Sequence, residues 1–404
     1  MTKRLYLENS HLRSCESVVE ACIPTDGGFD LVLDQTVIFH NAGGQPCDTG
    51  RIGDAVITGC DERDGVLLHH ADRALPVGAR LPLTLDWPRR FDHMQQHTGE
   101  HLLSYAAYRL YGANNVGFHL ARDTTTIDLD RPLDAAQLLE IQRLANQFVA
   151  DDLPVQARCY DSEAALSDLP LRKQAEGIRA PIRIVQIEGA DCCTCCAPHC
   201  QRTSEVGGIL ITDAAAYKGG MRLNFLCGQR ALSYAAGLHG DMDRLARRFS
   251  TARDNVVQAV TKLQDECAQL RRRQRELTDA LNGYLARELL AGAKAAGRCR
   301  LIVSVLPEIA PDRLKALAQM TLRQSKTLTL LMSAQAGRLS YVLSATEDLG
   351  LDMGELCQAV NAATGGKGGG RGTLAQGAGP ASAGLAETAE QLAAYFEKRL
   401  SQLR

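Results

Sequence analysis

The sequence predicts an α+β chain of several domains: a small N-terminal β-barrel, an α+β domain, a helical spacer and a small C-terminal α/β domain. Three observations carry this. Short apolar runs broken by turn residues fill the first stretch. The hydrophobic period lengthens from about 2 to about 3.6 near Phe91. A long Arg-, Gln-, Leu- and Ala-rich stretch then separates this part from a last group of apolar runs. At 404 residues the chain is also longer than one hydrophobic core usually serves.

Residues 1–90 form the predicted barrel. "FDLVLDQTVIF", "AVITGC", "GVLLHHA" and "RLPLTLDW" are strand-like, and "NAGGQPCDTGRI" supplies turn residues between them. Residues 91–238 form the α+β domain. In "FDHMQQHTGEHLLSYAAYRLYG" the residues His97, His101, Leu102, Tyr105 and Tyr108 recur at the spacings of an amphipathic helix, and Gly112 is its stop. "VGFHLARDTTTIDLD" reads as a strand pair, followed by a helix from about Asp134 to Ala150 with Pro132 near its start. "IRAPIRIVQIEGADCCTCCAPHCQRTSEVGGILI" reads as strand, cysteine-rich loop, strand, and "MRLNFLCG" adds another strand. Residues 239–296, including "VTKLQDECAQLRRRQRELTDALNGYLARELL", fit a helical hairpin or coiled-coil spacer. Residues 297–404 contain the strands "RLIVSVLP", "KTLTLLMSA" and "RLSYVLSAT" with helices between and after them, and a glycine-rich loop, "TGGKGGGRGTLAQGAG".

Composition narrows the function classes. Hydrophobic content of 45%, charged content of 23% and a formal charge of -2 describe an ordinary soluble protein, so a nucleic-acid surface has to be local. No run approaches the roughly 18 to 20 apolar residues that cross a bilayer, and no membrane partner is expected. The start, "MTKRLYLENSHLRSC", lacks the apolar run of a secretion signal, which implies the cytoplasm. In that reducing compartment the 14 cysteines read as thiols or metal ligands, not as a disulfide framework.

His97 and His101 stand one above the other on their helix, so both rings can converge on one ion, or simply pack there as polar residues. Thr98 after His97 excludes the H-E-x-x-H protease motif. In "CCTCCAPHC" the pair Cys195 and His199 has the same separation and could complete a four-ligand set. The overlapping pairs Cys192/Cys195 and Cys193/Cys196 offer a closed structural zinc instead.

Four stretches in this order resemble the free-standing alanyl-tRNA editing proteins of AlaX type, in the long form with a DHH-associated C-terminal domain. They are "DQTVIFHNAGGQPCDTG" ending its motif in G-G-Q, "QQHTGEHLLS" with "GFHL" and "TIDLD", "CAPHCQRTSEVG", and "GGKGGGRGTLAQGAG". The family shares its editing domain with alanyl-tRNA synthetase. In the family's C-G-G-T-H pattern, counting back from His199 makes Cys195 the matching cysteine, with Cys196 next to it; Cys196, Ala197 and Pro198 stand where the pattern has G-G-T.

The resemblance implies one Zn²⁺ held by His97, His101, Cys195 and His199, and a deacylase that hydrolyses Ser-tRNA, and Gly-tRNA as a second substrate, on the alanine acceptor. Gln45 becomes the candidate catalytic polar contact, with Gly43 and Gly44 letting backbone come close. No stretch resembles a synthetase's ATP-binding core, so the chain is expected to edit without aminoacylating. The glycine-rich motif is not a Walker A loop, because glycine follows Lys367. Its backbone N–H groups with Lys367 and Arg371 suit an RNA backbone, which makes Gly366, Lys367, Gly368 and Arg371 the candidate RNA contacts. A non-catalytic tRNA-binding scaffold with a structural zinc is the rival reading. A homodimer through the spacer or the C-terminal domain is left open.

Overall fold

The computed structural model describes residues 2–173, 180–381 and 384–403. The chain divides into two compact units, Met1–Arg248 and Phe249–Arg404.

The first unit opens with strands β1 (Ser14–Thr25), β2 (Gly28–Leu33), β3 (Gly50–Ile52), β4 (Ala55–Arg63), β5 (Val66–Ala71) and β6 (Arg80–Leu85). They close into the expected barrel in the order β1-β2-β5-β4-β3-β6. Alternation of apolar residues along each strand puts Val19, Leu31, Leu33, Ile52, Ile57 and Leu83 into one core.

Helix α1 (Trp87–Tyr111) leaves the barrel directly. Asp86 caps it by accepting from the Arg89 N–H, Pro88 occupies its first turn, and Gly112 ends it in the left-handed conformation at φ 61°. The sequence predicts an amphipathic helix here. The structure buries it on nearly every face from His93 to Ser104. One side packs Leu102, Leu103, Ala106 and Ala107 into the apolar core of the α+β part. The polar side meets the barrel and the cysteine loop instead of water. The helix start is fixed by a fully buried ion pair, in which Arg90 Nε bonds both Asp48 oxygens at 3.1 and 3.0 Å and its Nη atoms reach the carbonyls of Ser10 and Val37.

The α+β part continues with β7 (Asn115–Leu120), β8 (Thr125–Leu129), α2 (Ala135–Ala150), β9 (Val155–Tyr160), β10 (Ile182–Ile187), β11 (Cys192–Thr194), β12 (Ile209–Tyr217), β13 (Gly220–Cys227) and α3 (Gly228–Arg248). An Asp134–Gln137 capping box starts α2. One sheet runs β12-β13-β8-β7 and a second β9-β10-β11. Pairing of Ile127 with Leu223 across β8 and β13 draws distant sequence together, and that closure sets α1 beside the cysteine loop.

The second unit contains α4 (Val256–Ala291), β14 (Lys294–Ala296), β15 (Cys299–Val305), α5 (Pro311–Thr321), β16 (Thr327–Gln335), β17 (Arg338–Ala345), α6 (Met353–Thr364), β18 (Lys367–Arg371), β19 (Leu374–Pro380) and α7 (Leu385–Ser401). Its sheet runs β14-β15-β16-β17-β19-β18, with only β15 and β16 parallel. Alternation divides the strands between two layers of helices. Leu330 and Leu343 face Leu356, Val360 and Phe396, while Leu331 and Val342 face Ala286, Leu314 and Leu317.

The glycine-rich stretch, expected as a loop, is the β18–β19 hairpin, in register from Lys367 opposite Ala378 to Arg371 opposite Leu374. Packing explains several of its glycines. A Cβ on Gly368 would lie 2.5 Å from both the Gln376 carbonyl and the Tyr341 hydroxyl, and one on Gly377 would lie 2.0 Å from that same hydroxyl.

Candidate metal centre

The first unit gathers one cluster of metal-ligating side chains from the two segments that the sequence pointed to. His97 and His101 sit a turn apart on α1, and Cys195 and His199 lie on the irregular loop that follows β11. One ligand atom from each lies within 4.8 Å of those of the other three. Cys195 Sγ is 3.5 Å from His97 Nε2 and 3.2 Å from His199 Nε2. The loop is pinned at several points: the Arg183 guanidinium donates to the carbonyls of Cys195 and Ala197, Ser10 Oγ donates to the carbonyl of His199, and the Cys200 N–H donates to Thr98 Oγ1.

Each imidazole turns its Nδ1 to a protein group. His97 meets Gln45 Oε1 at 2.8 Å, His101 meets Asp191 Oδ2 at 2.9 Å, and His199 meets Thr98 Oγ1 at 3.2 Å. With Nδ1 engaged, Nε2 is the nitrogen left to bind a metal, and the ring planes are fixed. The Arg172 guanidinium holds both oxygens of Asp191, at 2.6 and 3.0 Å. A second close group, His101, Asp191 and Cys193, therefore orients His101 and does not form a separate centre.

Electrostatics favour a cation. Burial opposes ionisation of the Cys195 thiol, yet the surrounding His97, His199 and His101 carry its pKa well below the ordinary thiol value. Burial brings His199 down to about 3, which keeps its ring neutral. Burial also works against a charged His101, but Cys193, Glu100 and Asp191 together lift it well above the ordinary imidazole range. Three oriented imidazoles and one thiolate are a zinc donor set, and amide-, carboxylate- and hydroxyl-backed rings are what such ligands use. The residues present fit zinc.

The neighbouring cysteines point elsewhere. Cys192 packs with Leu166, Ile182 and Ile184, Cys193 turns to His101, and Cys196 lies exposed toward Gly43. Among the described residues these two C-x-x-C pairs do not assemble a separate closed site. The G-G-Q motif packs on β7: a Cβ at Gly44, where φ is 77°, would lie 2.5 Å from the Phe118 carbonyl. This is a close approach to protein backbone, where the sequence argument had substrate. Gln45 itself is buried behind His97, and its Nε2 has no hydrogen-bond partner among the described residues.

The centre forms part of the wall of a cleft of about 400 Å³ that Glu100, Asn115, Phe118, Arg172, Lys173 and Arg183 also line. Gly366, Lys367, Gly368 and Arg371 belong to the second unit, where Lys367–Arg371 is an exposed edge strand. Sequence reasoning missed Thr98, Glu100, Arg172 and Asp191. Signals existed for two of them: Glu100 shares a helix face with His97 and Ser104, and Asp191 directly precedes the cysteine cluster.

Comparison with known proteins gives the same two regions. Residues 182–224 match the threonyl and alanyl tRNA synthetase second additional domain, and residues 299–402 match the DHHA1 domain. The chain is 32% identical over 302 residues to the alanyl-tRNA editing protein Aarsd1 of Mus musculus, covering 70% of this chain and 72% of the mouse protein. It is 27% identical over 386 residues to the alanyl-tRNA editing protein AlaX-L of Pyrococcus horikoshii, covering 93% of this chain and 94% of that one. It is also 28% identical over 389 residues to the alanine–tRNA ligase of Thermococcus kodakarensis, covering 93% of this chain and 41% of the ligase.

Proposed function

This chain belongs to the alanyl-tRNA editing proteins, and from that premise we propose that it is a zinc-dependent hydrolase acting in trans on mischarged alanine tRNA. It cleaves the ester between serine, or glycine, and the terminal ribose. The observation that carries this reading is the His97–His101–Cys195–His199 set, of which His97, His101 and Cys195 line a cleft. Zinc held there would supply a polarised ester carbonyl or a bound water of lowered pKa.

The chain's own residues do the remaining work. Gln45 and Asp191 accept from Nδ1 of His97 and His101 and hold those rings in one tautomer, and Thr98 orients the ring of His199, so the donor set is preorganised. Arg172, Lys173 and Arg183 give the cleft a cationic wall suited to the phosphates of a tRNA 3′ end. Selectivity follows from unpaired polar groups: a site that hydrogen-bonds a seryl hydroxyl is left unsatisfied by alanine, and discrimination of this kind reaches roughly 10⁴-fold. That Gln45 Nε2 has no hydrogen-bond partner among the described residues supports its part as that polar contact.

Lys367 and Arg371 are the proposed RNA contacts of the second unit; both are exposed, and strand alternation turns them to the same side of β18. On α4, Val260, Leu263, Leu270, Leu277, Leu281 and Tyr284 are exposed at near-heptad spacing, which supports self-association as a coiled coil, checked by sedimentation. Among the described residues no helix is long and apolar enough to cross a membrane. A cytoplasmic location, where tRNA is charged, is part of this reading.

The deciding experiment compares deacylation of Ser-, Gly- and Ala-tRNA, all on the alanine acceptor, with metal analysis of the same samples. Rapid loss of the seryl ester with survival of the alanyl ester supports the reading. Equal rates on both, or full activity in a zinc-free His97→Ala/His101→Ala protein, count against it. Tight tRNA binding without cleavage would establish the scaffold instead.

A further inference from the structure

Glu100 is a buried carboxylate in the cleft wall that the metal ligand set does not include. Its Oε1 is fixed. Ser104 Oγ donates to it at 2.7 Å, Asn115 Nδ2 donates to it as well, and Asn115 Nδ2 donates to Ser104 Oγ at 2.9 Å, which closes a triangle of neutral partners. Its Oε2 makes no hydrogen bond among the described residues, and its recorded ionic neighbour is His101 Nε2, at 3.6 Å. A carboxylate held this firmly by one oxygen, with the other left toward a cleft, is a binding group waiting for a donor.

Charge identifies the donor. Glu100 is the only carboxylate among the described residues lining the cleft, which also presents Lys173, Arg183 and Arg172, the last already paired with Asp191. The complementary ligand is anionic over most of its length and cationic at one point. An aminoacylated tRNA 3′ end has that pattern: phosphates throughout, and a single cation, the α-ammonium, on the carbon next to the ester carbonyl. Glu100 Oε2 lies 3.6 Å from His101 Nε2, so an ester whose carbonyl is held against the donor set can reach it with the ammonium on the adjacent carbon.

We propose that Glu100 Oε2 anchors the α-ammonium of the aminoacyl ester, so that the site accepts amino acid esters and not acyl esters in general. This rests on the reading of the chain as an aminoacyl-tRNA hydrolase. Serine, glycine and alanine all carry the ammonium. Glu100 therefore positions the ester without choosing among them, and the choice is left to contacts with the side chain.

The test is calorimetric binding of two non-hydrolysable probes to the zinc-loaded full-length protein. One is adenosine bearing serine through a 3′-amide; the other is the same molecule with a hydroxyl in place of the α-ammonium. The wild type is expected to prefer the cationic probe by about tenfold or more. Glu100→Gln keeps an oxygen for Ser104 and Asn115, and should bind both probes about equally at unchanged zinc content. Equal binding of the two probes by the wild type overturns the proposal, and needs no variant. So does a preference retained in Glu100→Gln, or cleavage of Ser-tRNA and its N-acetylated form slowed equally by that change, which would assign Glu100 to proton transfer. A wild type that cleaves no aminoacyl-tRNA removes the hydrolase reading; cleavage without a probe preference removes only the anchor.

Discussion

Gln45 Oε1 accepts from His97 Nδ1 at 2.8 Å, so a residue of the barrel fixes the orientation of a candidate metal ligand carried by the helix that follows it. Both side chains are buried, and no water can take over the contact cheaply. Gln45→Leu keeps the volume and removes the acceptor. It should lower zinc affinity about 10- to 100-fold, as loss of a ligand's outer partner typically does, and cost the apo protein about 1–3 kcal/mol for the buried N–H left unpaired. Competition against a chromophoric chelator measures this. An unaltered zinc affinity would mean that His97 is oriented by packing alone.

The Arg90–Asp48 pair lies beneath the same joint, with both side chains at 0% exposure. Replacing only Arg90 with Met leaves Asp48 charged and buried, and the Val37 and Ser10 carbonyls without their donors. The expected loss is about 3–5 kcal/mol in urea unfolding. Adding Asp48→Leu to that variant should recover part of the loss, because the uncompensated charge goes with it. If the single change costs under about 1 kcal/mol, the pair does not hold α1 to the barrel.

Much of this joint was legible in the sequence, and the missing part has a common physical character. The barrel, the strand pair after α1 and the helix from Asp134 follow from apolar period and turn residues, which are local signals. The cluster of His97, His101, Cys195 and His199 was findable because the i, i+4 spacings are written along the chain and the family motif singles out Cys195 among its neighbouring cysteines. What escaped were groups whose roles depend on distant partners. Asp191 matters because Arg172 and His101 meet on it, and Glu100, on α1, because Asn115 meets it from β7. The glycine-rich stretch misled in the opposite direction. Its composition reads as a flexible loop, whereas Gly368 and Gly377 are small so that a strand can pass over the Tyr341 hydroxyl.

On the barrel, His70 bridges two carboxylates, Asp30 at 2.6 Å and Asp61 at 2.9 Å. Burial lowers the His70 pKa, but Asp61 and Asp30 outweigh it and the net shift is upward. A base raised in the folded state contributes its stability in full below the ordinary imidazole value of 6.5, and loses it as pH rises through the folded value. Asp61 is shifted down, first by its bond to His70, so its contribution is present above 3.8 and disappears on further acidification. The gap in melting temperature between the wild type and His70→Gln should therefore be widest between about pH 4 and 6.5 and narrow toward pH 9. A gap that widens with alkalinity would contradict the charged bridge.

The β18–β19 hairpin separates two meanings of a glycine-rich motif. A Cβ on Gly377 would meet the Tyr341 hydroxyl at 2.0 Å, and Tyr341 is buried in the core of the second unit, where its hydroxyl bonds to Asn361. Gly377→Ala should therefore cost about 1–3 kcal/mol through overpacking. Lys367 and Arg371 are exposed and carry none of that packing, so Lys367→Gln/Arg371→Gln should leave stability within about 0.5 kcal/mol. If the two cations contact phosphates, the double change weakens tRNA binding and flattens its dependence on salt by roughly one unit of slope per lost contact. Filter binding across a salt series reads both quantities. A Gly377→Ala protein that is destabilised, beside a double variant with unaltered tRNA affinity and salt slope, would show that the motif shapes a sheet edge and does not bind RNA.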